Sequence, residues 1–178
     1  MKNIVIVSST YRNGGNSECL AEAFAKGAKE AGNEVKILYL KEIDLKFCIG
    51  CLSCLKSGKC VLNDGINDIL PVVQNADVLV FATPVYYYGM SGQLKTFLDR
   101  LNPLYGRDNR FREIYLLATA AENAKEAVDG TVHGVQGWID CFEGVKLKEV
   151  VYGVGVERAG EVRNTPALMQ AYRAGLTV

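Results

Sequence analysis

Histidine occurs only once in this 178-residue chain, and neither charge sign is in excess: Lys plus Arg and Asp plus Glu number 20 each. His133 has no partner at metal-ligand spacing, so the chain offers no His-Glu-x-x-His zinc motif and no Ser-His-Asp set. It reads as a surface or packing residue. A zero net charge argues against nucleic-acid or anionic-membrane partners, which favour a basic excess. No apolar run approaches membrane-spanning length. The opening Met1-Lys2-Asn3-Ile4 enters a short strand with no h-region or cleavage site, so the expected setting is the cytoplasm. There thiols stay reduced, and six cysteines suggest metal, redox or packing roles before disulfides. Both familiar nucleotide loops are missing: neither Gly-x-x-x-x-Gly-Lys-Ser/Thr nor Gly-x-Gly-x-x-Gly occurs.

What is present is an ordinary globular balance, 49% apolar and 22% charged, in a length that suits one domain over residues 1–178. Ile4–Val7 is a continuous apolar run, as expected of a parallel strand covered on both faces. A helix follows from about Ser17 to Ala31, with Leu20, Ala21, Phe24, Ala25 and Ala28 at helical spacing. Val35–Leu40 reads as a second strand toward the sheet edge. A long loop, Lys41–Asn63, holds four cysteines. Next come a short helix at Ile66–Asn75 capped by Asp64, a strand at Val78–Ala82, a loop at Thr83–Met90, and a helix capped by Ser91. A fourth strand at Ile114–Ala118, a long helix from Asn123 to Phe142 and a fifth strand within Val145–Val156 precede the last helix. Thr165-Pro166 opens that helix and Gly175 is expected to stop it.

Five strands alternating with helices predict a three-layer α/β domain whose parallel sheet has the order 2-1-3-4-5. Such sheets bind ligands outside the C-terminal strand ends, where strands one and three diverge. Ser9–Ser17 and Thr83–Met90 are those two ends. Ser9-Thr10-Tyr11-Arg12-Asn13-Gly14-Gly15-Asn16-Ser17 joins a buried strand to a helix start, where open N–H groups and the helix dipole favour an anion. Ser9, Thr10 and Ser17 offer hydroxyls, Asn16 an amide and Arg12 a fixed positive charge. This turn by itself equally reads as a polar loop without a ligand.

Four landmarks give the chain a resemblance, across nearly its whole length, to the NADPH-dependent FMN reductase branch of the flavodoxin-like superfamily. The first is the turn just described, similar to that family's Gly-Ser-Pro-Arg…Gly-Asn-Thr phosphate loop. Ser9 replaces the glycine, Tyr11 the proline and Ser17 the threonine. The second is Cys48-x2-Cys51-x2-Cys54-x5-Cys60. The third is Thr83-Pro84-Val85-Tyr86-Tyr87-Tyr88-Gly89-Met90-Ser91-Gly92-Gln93-Leu94-Lys95, running on to Leu98-Asp99-Arg100. The fourth is Leu117-Ala118-Thr119-Ala120-Ala121. The resemblance implies that Ser9, Thr10, Arg12, Gly15, Asn16 and Ser17 hold the FMN phosphate. Pro84, Val85, Tyr86, Tyr87, Tyr88 and Gly89 would embrace the flavin ring and ribityl chain. Thr119, Ala120 and Ala121 would close the other side, mostly through main chain. For the three tyrosines the alternative is strand-end packing.

The implied activity is hydride transfer from NADH or NADPH to flavin N5, then electron delivery to an unidentified acceptor. No catalytic side chain is required, because the flavin carries the chemistry. A homodimer or homotetramer is also implied, with Asn102–Arg112 as a contact segment or a solvated loop. The cysteine spacing resembles a [4Fe–4S] site, as in iron–sulfur flavoproteins of this superfamily. Cys48, Cys51, Cys54 and Cys60 would then be ligands, shielded by Phe47, Ile49, Leu52, Leu55, Val61 and Leu62, and the protein would act as an electron carrier. Reduced thiols without metal, zinc, or a disulfide are the alternatives. A flavin-free binding module is a further one. Cys19 and Cys141 read as core or half-buried thiols, Trp138 as core, and Lys95, Asp99 and Arg100 as a charged helix face, solvated or at a subunit contact.

Overall fold

A computed structural model describes residues 1–178. Strand β1 (Asn3–Ser8) leads through the glycine-rich turn to helix α1 (Asn16–Glu30), then β2 (Glu34–Tyr39). The cysteine loop carries one short helix, α2 (Ser53–Ser57), before α3 (Ile66–Gln74). Strand β3 (Val78–Tyr86), the two-residue β4 (Gly89–Met90) and helix α4 (Gly92–Arg100) follow. Strand β5 (Glu113–Thr119), helix α5 (Asp129–Ile139), strand β6 (Lys146–Gly153) and helix α6 (Pro166–Thr177) complete the chain. The main strands pair in parallel in the order β2-β1-β3-β5-β6. With β4 set aside, that is the expected 2-1-3-4-5 arrangement.

Alternation along each strand divides the core into two layers, because successive side chains leave a strand on opposite faces. Val5 and Val7 of β1, Leu79 and Phe81 of β3, and Ile114 and Leu116 of β5 meet α3, α4 and α5 in one cluster. Ile4, Ile6, Val78, Val80, Tyr115 and Leu117 meet α1 and α6 in the other. Complete burial of Ile6, Val7, Val80 and Phe81 explains why β1 and β3 read as unbroken apolar runs. α1 and α6 cross at van der Waals distance: a methyl group built on Gly27 strikes the Tyr172 carbonyl, and one on Gly175 strikes the Phe24 carbonyl. Gly175 is therefore a packing glycine, and α6 continues past it to Thr177.

Several expected boundaries move. β3 runs beyond Ala82 to Tyr86 and turns back antiparallel into β4, so much of Thr83–Met90 is a hairpin and not a loop. The expected long helix from Asn123 begins as a 3-10 turn at Lys125–Val128, and α5 starts only at Asp129. Phe142, beyond the end of α5, still packs on Trp138 and Phe111, so the apolar spacing persisted where the helix did not. Thr165 sits at the start of α6, but its hydroxyl donates backward to the Val162 carbonyl and does not cap. Asn102–Arg112 is not simply a solvated loop: Pro103, Leu104, Asn109 and Phe111 are buried.

The largest departure is Arg100. It is expected on a charged outer face with Lys95 and Asp99. Lys95 and Asp99 do pair there, exposed. Arg100, one residue further round α4, is fully buried. Its guanidinium makes a two-pronged bond to Asp64, at 2.6 and 2.9 Å, and also donates to the Lys46 carbonyl. Cys141 also departs, lying exposed, whereas Cys19 is buried as expected.

Candidate functional site

The Ser9–Ser17 turn, the end of β3 and the loop after β5 meet at one cleft of about 200 Å³ above the C-terminal strand ends. Thr10, Arg12, Gly15, Asn16, Ser17, Pro84, Val85, Tyr86, Thr119 and Ala121 line it. Val156 and Glu157 join them from beyond β6, which no motif in the sequence had marked. Gly15 stands at the N-cap of α1 and provides no side-chain cap. The N–H groups of Asn16, Ser17 and Glu18 consequently have no partner in the chain. A side chain is excluded at Gly15 because a Cβ would lie 2.9 Å from both the Arg12 carbonyl and the Thr10 hydroxyl. Ser17 Oγ is buried without a hydrogen-bond partner. A buried orphan hydroxyl beside three open N–H groups at a helix start is suited to a phosphate.

Other expected donors are already engaged. The Ser9 hydroxyl donates to the Ala82 carbonyl at 3.1 Å and accepts from Ser91 at 2.9 Å. Ser91 in turn receives the Thr83 hydroxyl and caps α4 through the Leu94 N–H. Ser9 thus fastens β1 to β3 and does not line the cleft. The Asn16 amide donates to the Arg158 carbonyl and accepts from the Val162 N–H, so its side chain anchors the 157–162 segment. Ala120 donates its N–H to the Gly153 carbonyl and accepts the Val156 N–H on its own carbonyl, while its neighbours Thr119 and Ala121 line the cleft. One Arg12 N–H donates to the Glu157 carbonyl at 2.7 Å, and the rest of the exposed guanidinium is open. Glu18, an acid in the first turn of α1, is neutralised by Lys41 at 3.1 Å. Neither residue was legible as part of the site, since only the fold brings them together.

Tyr87 and Tyr88 form the two-residue tip of the β3–β4 hairpin, both left-handed at φ 49° and 62°. Such tips ordinarily take Asn-Gly, and two tyrosines there are strained. Tyr87 is fully exposed. Tyr88 donates its hydroxyl to Glu122 at 2.9 Å, which raises its pKa, and its carbonyl packs against Gly130. Only Tyr86 of the three lines the cleft; Tyr87, Tyr88 and Gly89 do not.

The four motif cysteines meet elsewhere, in an apolar cavity of about 390 Å³ between the C-terminal ends of α4 and α5. Cys48, Cys51, Cys54 and Cys60 line it, with Cys141, Trp138 and Phe142. Asn102 Nδ2 donates to Cys54 Sγ at 3.1 Å and Arg100 to Cys60 Sγ at 3.3 Å. Hydrogen bonds involving Ser53 lower the Cys51 pKa. The donor set suits a soft metal or cluster, but no three ligating side chains stand close enough together to hold an ion. Of the apolar residues expected to shield the thiols, Ile49, Leu52, Val61 and Leu62 line the cavity with them, while Phe47, Ile49, Leu52, Leu55 and Val61 each remain exposed on their outer side. Arg100 and Asp64 pin the loop to α4. The guanidinium, with N–H groups of Lys46 and Ile66, holds the Asp64 carboxyl down to about 2 against the cost of burial.

No helix is long and apolar enough to cross a membrane. In structural comparison the chain overlays on azoreductase AzrA with TM-score 0.76 and 20% identity, over 99% of this chain and 100% of that one. It overlays on the NAD(P)H:quinone oxidoreductase of Methanothermobacter marburgensis with TM-score 0.73 and 21% identity, over 98% of each. An iron-sulfur flavoprotein of Archaeoglobus fulgidus is 35% identical over 106 residues, 60% of this chain and 47% of that protein. The chain spans about half the length of the iron-sulfur flavoproteins it matches. The putative NAD(P)H-dependent FMN-containing oxidoreductase YwqN of Bacillus subtilis is 28% identical over 96% of this chain and 94% of its own. The family model described as NADPH-dependent FMN reductase matches residues 1–144, and the chain belongs to that family.

Proposed function

We propose that this protein binds FMN and is an NAD(P)H-dependent flavin oxidoreductase. The observation that carries this is the buried, partnerless Ser17 hydroxyl beside the open N–H groups of Asn16, Ser17 and Glu18, in a cleft shared with the β3 end. Bound FMN would supply hydride acceptance and onward electron transfer. The phosphate would be held by Ser17, Thr10, the open N–H groups and the free edge of Arg12, with Lys41 cancelling the Glu18 charge behind them. Pro84–Tyr86 and Thr119 would wall the ring, and the strained Tyr87–Tyr88 tip would fix the rim. Glu157 is the one carboxylate lining the cleft, and no histidine lines it.

A second reading has its own support. The relatives named iron-sulfur flavoproteins, together with four motif cysteines around one cavity and N–H donors on two sulfurs, favour a thiolate-ligated [4Fe–4S] cluster. The loop must close for all four thiols to reach one cluster. Exposed Phe47, Ile49, Leu52 and Tyr105 favour burial against a second copy, in line with a homodimer or homotetramer. Six free thiols suit a reducing, cytoplasmic setting.

Anaerobic purification with a visible spectrum and counts of FMN, iron and sulfide tests both readings. One FMN per chain, bleached by NADPH within a turnover, is expected. A colourless protein that also fails to bind added FMN refutes the flavin assignment.

A further inference from the structure

Next to the flavin cleft, and sharing Ala121 with it, a second cleft of about 550 Å³ opens between the loop after β5, the end of β6 and the start of α6. Nothing above gives it a role. We propose that it takes the phosphorylated adenosine end of the nicotinamide donor, with Lys125 on the phosphate and Tyr152 against the purine. This rests on the flavin reading and deepens it.

Three observations carry the assignment. First, position: a donor whose nicotinamide meets a ring held by Pro84–Tyr86 and Thr119 must lay its other half outside that cleft, and Ala121 is the common wall. Second, charge: Lys125 is the one charged residue lining the cleft, no Asp or Glu lines it, and the ammonium makes no ion pair. It lies over the Tyr152 ring, 5.3 Å from Nζ to the centroid. A cation parked on a ring face has given up little and remains open to an anion. Third, shape and donors: Tyr152 is the only aromatic face in the cleft, and Asn123, Thr165 and Gln170 provide hydrogen-bonding groups around it. An aromatic face beside an unneutralised cation matches a purine joined to a phosphate, and matches a plain apolar acceptor poorly.

Two variants and one probe test it. ADP binding to the FMN-loaded protein is measured by calorimetry, and donor KM and kcat by flavin-coupled turnover. Lys125→Gln is expected to weaken ADP binding and raise the NADPH KM about tenfold, with kcat and FMN content unchanged, since Lys125 lies outside the flavin cleft. Tyr152→Leu is expected to weaken ADP binding as well. Because Lys125 is exposed, folding is not at stake in the first variant. If wild type binds no ADP, or Lys125→Gln binds ADP and NADPH as wild type does, the assignment falls. If ADP binds in a Lys125-dependent way while NADPH fails to bleach the flavin, the cleft stands and the reductase reading falls instead.

Discussion

Replacing Arg100 with methionine should unfasten the cysteine loop while leaving the flavin cleft in place. Arg100 and Asp64 are both inaccessible to solvent in their side chains. Removing one partner of a buried ion pair leaves the other charge desolvated and costs about 3–5 kcal/mol. An independent gauge comes from Asp64, lowered from 3.8 to about 2, a depression worth on the order of 2 kcal/mol. Lost donation to the Lys46 carbonyl and Cys60 makes up much of the rest. For a chain of this size a urea m-value near ~2 kcal/mol/M turns a ~3 kcal/mol loss into a midpoint shift of about 1.5 M. Trp138, the only tryptophan, lines the cysteine cavity, so its emission reports the change directly. The same pair sets an acid limb. A carboxyl depressed on folding stabilises the native state above its unfolded pKa and loses that contribution as pH falls through its folded value. Wild type should therefore lose this stability between about pH 4 and 2, whereas Arg100→Met should lack this acid limb: without its cation the buried Asp64 carboxyl has a raised pKa, so its penalty is fullest at neutral pH and is relieved as acidification protonates it. Adding Asp64→Leu to Arg100→Met should recover part of the loss. A midpoint shift under about 0.5 M at neutral pH, with FMN held at fixed concentration, would refute this account of the clamp.

Ser17→Ala removes an unsatisfied buried hydroxyl. The FMN-free protein should gain up to about 1 kcal/mol by urea melt, while FMN binding weakens about tenfold by fluorescence titration. Tyr87-Tyr88→Asn-Gly relieves two strained residues and should stabilise the apoprotein by roughly 1–2 kcal/mol; turnover should fall if the strained tip serves the site. Gly175→Ala forces α1 and α6 apart and should cost about 3 kcal/mol in thermal or urea melts with no direct effect on the cleft.

Strand order and layer assignment were legible because β1, β3 and β5 are buried on both faces, and right-handed crossovers leave few ways to arrange them. Helix ends were less so. Val128, Val135, Ile139 and Phe142 keep helical spacing, yet Val128 belongs to a 3-10 turn and Phe142 to a loop, since a core contact constrains where a side chain points and not which backbone carries it. Gly175 looked like a stop and is a contact, because the sequence does not reveal which helix lies opposite. Arg100 was misplaced for a similar reason. Lys95 and Asp99 set an i,i+4 pair that reads as an outer face, and only the return of Asp64 from another part of the chain turns the next residue inward.

At the site, residue type located the cleft correctly but did not separate ligand donors from fasteners. Ser9, Thr83 and Ser91 form one run of hydroxyls, ending on the Ala82 carbonyl, that ties the tip of β1 to the tip of β3 and to the cap of α4. In isolation Ser9 looked like a phosphate donor and Ser91 like a simple cap. Their hydrogen-bonding capacity is consumed internally, as buried polar groups require. Ser17 is chemically the same as Ser9 and lies in the same turn, yet unlike Ser9 it is left without a partner. The distinction depends on whether a carbonyl from a neighbouring strand falls within reach, and Ala82 reaches Ser9 because β1 and β3 pair as Ser8 to Ala82. The register of two buried strands thus decides which hydroxyl stays free for an anion, so a substitution that slips that register should abolish flavin binding even with every residue of the turn intact.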